Sequence, residues 1–506
     1  MFSDVSYRRS PRLIFVSLPL FDGGRCLKED LTGGEAICIQ KDENRRLHGT
    51  MWVGALPPIS YGVGIMRNVV VVDGFRTPFC KEGTDFRETD ADVLGAWVVR
   101  EMIARCHRWN LPLKTIDCVL GSNVATPMHA VNPTRVAAVT GGLPSAIPAD
   151  TVAGKNCGSG VTALYYASLR IRSNEVDTVL VIGMEAMSRI PIVYDRAVAD
   201  LLLRFGKART LRERATGALA LLPKLLNLKR YPPGIGLVMG LTDPMCDLIM
   251  GQTAENIAKD PALSITREDE DAFSIRSHKL AARAWKEGLF ANEVVPMFVP
   301  ERNSYVERDN GIREDADQNT FRGVKPVFDK RHGSVTPANS SQITDAAAAM
   351  LLMEEEKAKS LGLPILGYVK DYADFGYEPA CMGLAPVGAI AKLLSKARLT
   401  LKDFAVCEIN EAFASVVLGI SRILDSSALM ERKFGRYGWT ERLGEIPLDD
   451  LNPHGGAIAL GHPVGVSGLR LAMTSLFELK RRNAERALIS ACVGGGQGVA
   501  MILERQ

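Results

Sequence analysis

The chain has 506 residues, 46% hydrophobic and 24% charged, a globular balance long enough for two or three domains around substantial cores. A net charge of +3 is too small a bias to argue for nucleic acid as a partner. Ten cysteines show no CxxC pair and seven histidines no metal-ligand spacing, so disulfides and a structural metal are not expected and a reducing compartment fits. No apolar run reaches the roughly 20 residues needed to span a bilayer.

Residues 1–65 mix charged patches (Arg8-Arg9, Lys41 to Arg46) with scattered Pro and Gly and carry no sustained period. They are expected to be an extension, disordered or translated upstream of a native start at Met66; acidic residues and the lack of an arginine-rich amphipathic helix weaken a targeting role. From Met66 the pattern turns regular. Asn68 to Phe75 reads as a buried strand, Asp90 to Arg105 as an amphipathic helix, Cys118 to Leu120 as a strand and Asn132 to Thr140 as a helix, an alternation that argues a mixed sheet covered on both faces. Asn156-Cys157-Gly158-Ser159-Gly160 then opens a helix over Val161 to Ser173, which feeds a strand at Thr178 to Ile182 and Gly183-Met184-Glu185. A cysteine there meets first-turn N–H groups and the positive end of the helix dipole, which favour thiolate over thiol.

Residues 189–339 interrupt this rhythm. Arg204 to Arg230 is basic and amphipathic, with apolar content at Leu201 to Leu203 and Leu219 to Leu228; a segment around Thr253 to Ile257 and a long helix over Asp269 to Trp285 follow, then an irregular charged stretch from Glu301 to Phe321. Insertions of this size usually serve function, and the block reads as a lid whose 201–233 segment is either a solvated surface or a peripheral membrane or partner contact. The scaffold resumes at Ser334-Val335-Thr336, with a helix expected over Asp345 to Lys357, a strand at Leu366 to Tyr372, a helix at Pro386 to Ala397 and a strand at Phe404 to Ile409 that delivers Asn410-Glu411-Ala412-Phe413 to a helix start. Glu411 is expected to cap or orient that helix, and Ser426 to Asp450 to be a linker.

The last element is a glycine-rich loop, Gly455 to Gly461, holding His462 before a proline, then an amphipathic helix from Ser467 to about Lys480, a strand at Ala487 to Ser490, and Cys492 followed by three glycines. Glycines beside a histidine and a cysteine let backbone N–H groups approach a ligand and hold an oxyanion. Two stretches repeat. Laying Gly160 on Gly468 puts Leu180 on Leu488 and Met184 on Cys492 without a gap, and Leu111 to Asn123 reads onto Leu399 to Asn410. The chain is therefore a duplicated α/β unit.

With Cys157 in NCGSG, Asn410 in NEAF, His462 in GGAIALGHP and Cys492 in CVGGG, the sequence resembles the thiolase family at all four of its motifs, from about Met66 to the end. The resemblance implies an α/β thiolase-like fold, two duplicated halves in an αβαβα layering: 66–188 as the first half, completed by about 340–362, 189–339 as a lid over the coenzyme A site, and 363–506 as the second half. The long basic insertion and FDKRHGSVTPANSS (328–341) resemble the thiolase subunits of fatty-acid β-oxidation complexes. Asn410, where that subgroup often has His, and Cys381-Met382-Gly383, closer to the short-chain pattern, depart from it.

The resemblance makes Cys157 the nucleophile, Cys492 the acid/base cysteine, and His462 the group that deprotonates the nucleophile and, with a water on Asn410, lines one oxyanion hole. The N–H groups of Cys157 and Gly494 form the other. Ser341 and Arg313 match coenzyme A contacts and Met382 the acyl pocket; His454 lies near the motif with no set role. The activity implied is thiolysis of a 3-ketoacyl-CoA by CoA to acetyl-CoA and a shortened acyl-CoA, with biosynthetic acetoacetyl-CoA formation and a non-catalytic acyl-CoA or lipid-binding protein as the alternatives. No cofactor is implied, since coenzyme A is itself a substrate. A homodimer or tetramer is expected, with a hydratase/dehydrogenase subunit as a further partner, in the cytoplasm or, for a eukaryotic chain, the mitochondrion.

Overall fold

The computed structural model describes residues 67–227 and 229–505; the expectations made for residues 1–65 fall outside them. The first half begins with β1 (Val69–Arg76), α1 (Ala91–Arg108), β2 (Cys118–Ser122), α2 (Pro133–Thr140), β3 (Ala149–Val152), α3 (Ser159–Arg172) and β4 (Thr178–Ala186). An insertion follows, containing α4 (Arg196–Lys207), α5 (Leu211–Leu226), α6 (Met250–Ala258) and α7 (Arg267–Lys286). The scaffold then continues with β5 (Thr344–Glu354), α8 (Glu355–Ser360), β6 (Gly367–Gly376), α9 (Ala385–Ala397), β7 (Val406–Ile409), α10 (Ala414–Leu424), α11 (Ser427–Phe434), α12 (Ala457–Leu460), α13 (Ser467–Arg482), β8 (Arg486–Val493) and β9 (Gln497–Glu504).

The strands line up as β7-β8-β9-β6-β1-β5-β4-β2-β3, with a two-residue strand at Cys80–Lys81 beside β5. Each half repeats one arrangement. β2 runs parallel to β4 as β7 does to β8, β4 antiparallel to β5 as β8 to β9, and the halves meet where β1 and β6 pair over only Val70↔Tyr368 and Val71↔Gly367. Side chains alternate between faces, as the pleat requires. Val179, Val181, Ala346, Ala348, Ile489 and Ala491 point into a central cluster that also contains Val161 and Leu164 of α3 and Leu469 and Leu476 of α13. Leu180, Ile182, Ala347 and Ala349 face an outer cluster with α1 and α2, and Leu488, Ala500 and Ile502 face another with α9 and α10. Helices, half-sheet, central helices, half-sheet and helices make the five layers.

At the centre α3 and α13 cross on glycine. A Cβ on Gly468 would lie 2.3 Å from Val161 N, and one on Gly160 3.1 Å from Gly468 Cα. The two positions that superpose in the sequence repeat are the ones that touch. This contact sets how near the start of α3 comes to the loop before α13.

Four expectations are corrected. Asp345 to Lys357 is not a helix: Thr344–Glu354 is a buried central strand, and only Glu355–Ser360 is helical. The Ala346-Ala347-Ala348-Ala349 run has strong helix propensity, but as a strand it presents small side chains to helix layers on both faces at once, and packing outweighs propensity. Ser426 to Asp450 is not only a linker, since Ser426 caps α11 at Leu429 N. The Glu301 to Phe321 stretch contains the short strand Ser304–Val306 and a helical turn at Gln318–Arg322. The apolar run is also longer than expected: Pro379–Ala397 meets membrane-span length and hydropathy, but Cys381 breaks its helical geometry and most of it is buried in the outer core.

Candidate active site

Cys157 sits in a tight turn, Asn156–Gly158, immediately before α3. Asn156 takes a left-handed φ of 41° and donates from Nδ2 to Gly494 O at 3.0 Å, tying the turn to the triple-glycine loop. That loop folds back through positive φ at Gly495 (92°) and Gly496 (72°), which side chains resist. As a result the N–H groups of Gly494 and of Cys157 itself are directed at the Cys157 sulfur. Cys492, at the end of β8, is buried among the side chains that include Met382 and Phe413 and lies close enough to Cys157 for the two thiols to interact.

Burial decides the resting protonation states. It pushes the Cys157 thiol up to about 11 against the two N–H groups that favour thiolate, and Cys492 is raised as well, by burial first and then by Cys157. The N–H groups at the helix start favour the thiolate, as expected, but burial acts in the opposite direction and outweighs them. A base must take the proton. His462 is buried, its pKa lowered to about 4 by burial and by Arg470, so the imidazole is neutral. Its Nδ1 lies 2.6 Å from Ser467 Oγ, and Ser467 Oγ donates to Pro463 O at 3.1 Å. With the hydroxyl's one proton on Pro463 O, Nδ1–H donates to Ser467 and the lone pair falls on Nε2. His462 Nε2 has no hydrogen-bond partner among the described residues.

Asn410 follows β7, which runs beside β8, and its backbone N–H donates to Ser490 O at 2.9 Å, two residues before Cys492. Both polar atoms of its side chain are buried and unpartnered among the described residues, as suits a residue that holds a substrate oxygen or a water. Glu411 does not cap α10. Its carboxylate accepts from Ser277 Oγ of α7 at 2.6 Å, Asn452 Nδ2 at 2.8 Å and Ile458 N at 3.2 Å, and so anchors the loop that leads to His462. Gln342 holds the far side: His462 N–H donates to its backbone oxygen at 2.9 Å, and its amide donates to Gly311 O and Ile458 O.

Ser341 lies next to this network, donating its N–H to Ala412 O at 2.9 Å. Met382 is buried in the cluster that contains Cys492. Arg313 is half-buried after Gly311, its backbone N–H on His278 Nδ1 and its guanidinium 5.8 Å from the Phe321 ring. His454 is paired elsewhere: Nε2 lies 2.8 Å from Glu478 Oε2 on the far part of α13. Met184 packs under α1 against Gly95 and is core. Sequence reasoning missed Asn156, Ser467 and the insertion's Asp243, whose Oδ2 accepts from Gly495 N at 2.9 Å, while the Met245 methyl and Met250 sulfur come against Gly495 and Gly494. The only signal for the first two was adjacency to Cys157 and His462. Asp243 had none, because it reaches the loop from 252 positions away.

A thiol under two N–H donors, a neutral imidazole with an unpartnered Nε2 and a second thiol on an α/β scaffold are the kinds of group that acyl transfer uses. The family model for the thiolase N-terminal domain matches residues 69–356 and that for the thiolase C-terminal domain 363–505. The chain belongs to the thiolase family. It is 36% identical over 438 residues to a 3-ketoacyl-CoA thiolase of Pseudoalteromonas translucida, covering 86% of this chain and 96% of that protein, and 37% identical to one of Aeromonas salmonicida with the same coverage. Among solved structures it resembles human mitochondrial 3-ketoacyl-CoA thiolase in complex with CoA (TM-score 0.72, 30% identity, 87% of this chain and 98% of that one) and an acetyl-CoA acetyltransferase of Bacillus anthracis (TM-score 0.73, 31% identity, 87% and 99%).

Proposed function

We propose that this chain is a 3-ketoacyl-CoA thiolase, an acetyl-CoA C-acyltransferase that cleaves a 3-oxoacyl-CoA with CoA into acetyl-CoA and an acyl-CoA two carbons shorter. The observation that carries the residue assignment is the fixed imidazole: neutral, with its free lone pair on Nε2. His462 Nε2 takes the Cys157 proton as the sulfur attacks the C3 carbonyl. The oxygen that becomes negative there is held by the N–H groups of Cys157 and Gly494, donors typically worth about 10²–10³ in rate each. The C2–C3 bond then breaks, its electrons forming the enolate of acetyl-CoA, whose oxygen faces the newly protonated His462 and Asn410. Cys492 protonates the enolate carbon. Its thiolate then takes the proton of an incoming CoA, whose sulfur attacks the acyl-Cys157; the Cys157 thiolate that leaves takes back the proton held on His462, and both thiols and the neutral imidazole are restored.

The test is mass spectrometry of protein incubated with a 3-ketoacyl-CoA. An acyl adduct on Cys157 that disappears in Cys157→Ala and on adding CoA is expected; an adduct retained by that variant overturns the assignment. Cys381-Met382-Gly383 favours a second reading, biosynthetic acetoacetyl-CoA formation. Turnover on acetoacetyl-CoA against a long 3-ketoacyl-CoA separates the two, and the degradative reading expects the longer substrate to be used.

The exposed hairpin of α4 and α5 supports a peripheral role beyond the chemistry. Leu203, Phe205, Leu211, Leu219, Leu222 and Leu226 are exposed on it beside Arg204, Lys207, Arg209, Arg212, Arg214 and Lys224. Apolar and cationic groups together fit an anionic membrane surface. Vesicle co-sedimentation that rises with anionic lipid and falls with salt is the expected result, and binding indifferent to lipid charge counts against it.

A further inference from the structure

We propose that Glu185 is a positioning residue for thiolysis: with Ser122 it clamps the loop that carries His462, which belongs to the second half, onto the half that carries Cys157. The proposal rests on the assignment of Cys157 and His462 given above.

Glu185 is fully buried at the end of β4, and no cation among the described residues pairs with it; its oxygens are filled by four N–H donors instead. Oε1 accepts from Asn123 Nδ2 at 3.1 Å and Ala125 N at 2.8 Å, and Oε2 from Val124 N at 3.1 Å and Gly465 N at 2.7 Å. Three of these donors lie just beyond β2, in its own half. The fourth, and the shortest bond, crosses to the other half. Gly465 is three residues after His462 and two before Ser467, the residue that fixes the imidazole's tautomer. Its carbonyl is held from the same side, by the hydroxyl of Ser122 at the end of β2. Both backbone groups of one residue in the histidine loop are therefore gripped by the half that presents the nucleophile.

A buried carboxylate with four N–H partners is a costly way to close a loop unless its position matters, because a neutral acceptor would suffice for packing. The carboxyl is pushed up to about 7, by burial first, with Asp345 on β5 adding to the rise; Cys157, before α3, is the titratable group of the site that it acts on in turn. Ionised, Glu185 accepts all four donors. Protonated, it turns one oxygen into a donor facing N–H groups and loosens the clamp.

The experiment is steady-state kinetics of the full chain on a 3-ketoacyl-CoA for Glu185→Gln, Glu185→Asp and Ser122→Ala, with circular dichroism and thermal midpoints on each. In Glu185→Gln an amide NH2 faces backbone N–H donors. A misplacement of catalytic groups by a fraction of an ångström to 1 Å should lower kcat about 10–100-fold, while KM for the acyl-CoA, set by contacts elsewhere, changes less than about twofold on the same reasoning. Activity of the wild type should fall as pH drops through about 7, where Glu185 gains its proton, and this limb should flatten in Glu185→Gln. Glu185→Asp, which keeps the charge, should recover part of kcat. A folded Glu185→Gln with wild-type kcat and an unchanged acid limb overturns the proposal. If that variant does not fold, Ser122→Ala decides alone: a lowered kcat with KM kept supports the clamp, and an unchanged kcat overturns it. Failure of the underlying site assignment would show separately, as activity surviving Cys157→Ala.

Discussion

The two halves share a strand order, a central helix and a glycine at the same place in that helix, yet they end their equivalent strands differently. β4 closes on Met184 and Glu185, buried and used to hold other segments; β8 closes on Cys492 and leads into three glycines that fold back onto the turn holding Cys157. Cys157 is placed the other way, on the turn before α3 in the first half, while the turn before α13 carries Ser467 and the histidine loop. Duplication supplied two helix starts that face each other across paired glycines. Divergence of the loops put a cysteine on one and a histidine with its serine on the other, the pair proposed above as nucleophile and base.

That comparison can be broken most severely at the cysteines. Cys157→Ala should lower thiolysis by at least about 10³-fold, as loss of a nucleophile does, whereas Met184→Cys, which places a thiol at the repeat-equivalent of Cys492, should not rescue Cys492→Ser, because position 184 packs under α1 rather than over Cys157. Kinetics of the double variant checks this; substantial recovered activity would mean the halves are functionally interchangeable. Cys492→Ser itself should lose about 10²–10⁴-fold, the usual weight of one general acid/base.

The crossing of the central helices is the next place to press. Gly468→Ala sets a methyl 2.3 Å from Val161 N and should cost roughly 1–3 kcal/mol with a parallel fall in activity as the helix starts are forced apart. Gly206→Ala, with nothing within 4 Å of the added carbon, is the matched control and should leave denaturation midpoints unmoved or slightly raised.

A finer test concerns the imidazole. Ser467→Ala leaves Nδ1 without its acceptor, frees the tautomer and should reduce kcat by about tenfold, less than the roughly 10²–10⁴-fold that a positioned base itself supplies; an unaltered kcat would show that Ser467 does not fix the ring. The smallest effect is the one of pH on the free enzyme. Since Cys157 is raised to about 11 and His462 lowered to about 4, both are neutral at pH 7, and alkylation of Cys157 should climb with pH toward about 11 instead of reaching a plateau near neutrality. A plateau at pH 7 would reveal a thiolate–imidazolium pair.

Much of this molecule was legible in one dimension. Gly160 and Gly468, Leu180 and Leu488, Met184 and Cys492 fell into register in the sequence because each half had to bury the same helix on the same strands, and the pleat and the helix period leave a fixed pattern for that. Cys157, Asn410, His462 and Cys492 could be picked out because each stands beside glycines or at a strand end, where a loop is the only local structure available. What the sequence could not yield was everything decided by burial and by contacts across long separations. The alanine run of β5 carries helix propensity in its own residues and becomes a strand only because two helix layers need small side chains between them. The thiol of Cys157 meets N–H groups that favour ionisation, and burial by segments distant in sequence outweighs them. Glu411 and Glu185 look like ordinary carboxylates in the chain; only the folded molecule surrounds them with N–H and hydroxyl donors from other segments and makes them the fixtures of the histidine loop. Local sequence sets backbone preference and period, whereas the charge state and partners of a buried group depend on which atoms tertiary packing brings within about 3 Å of it.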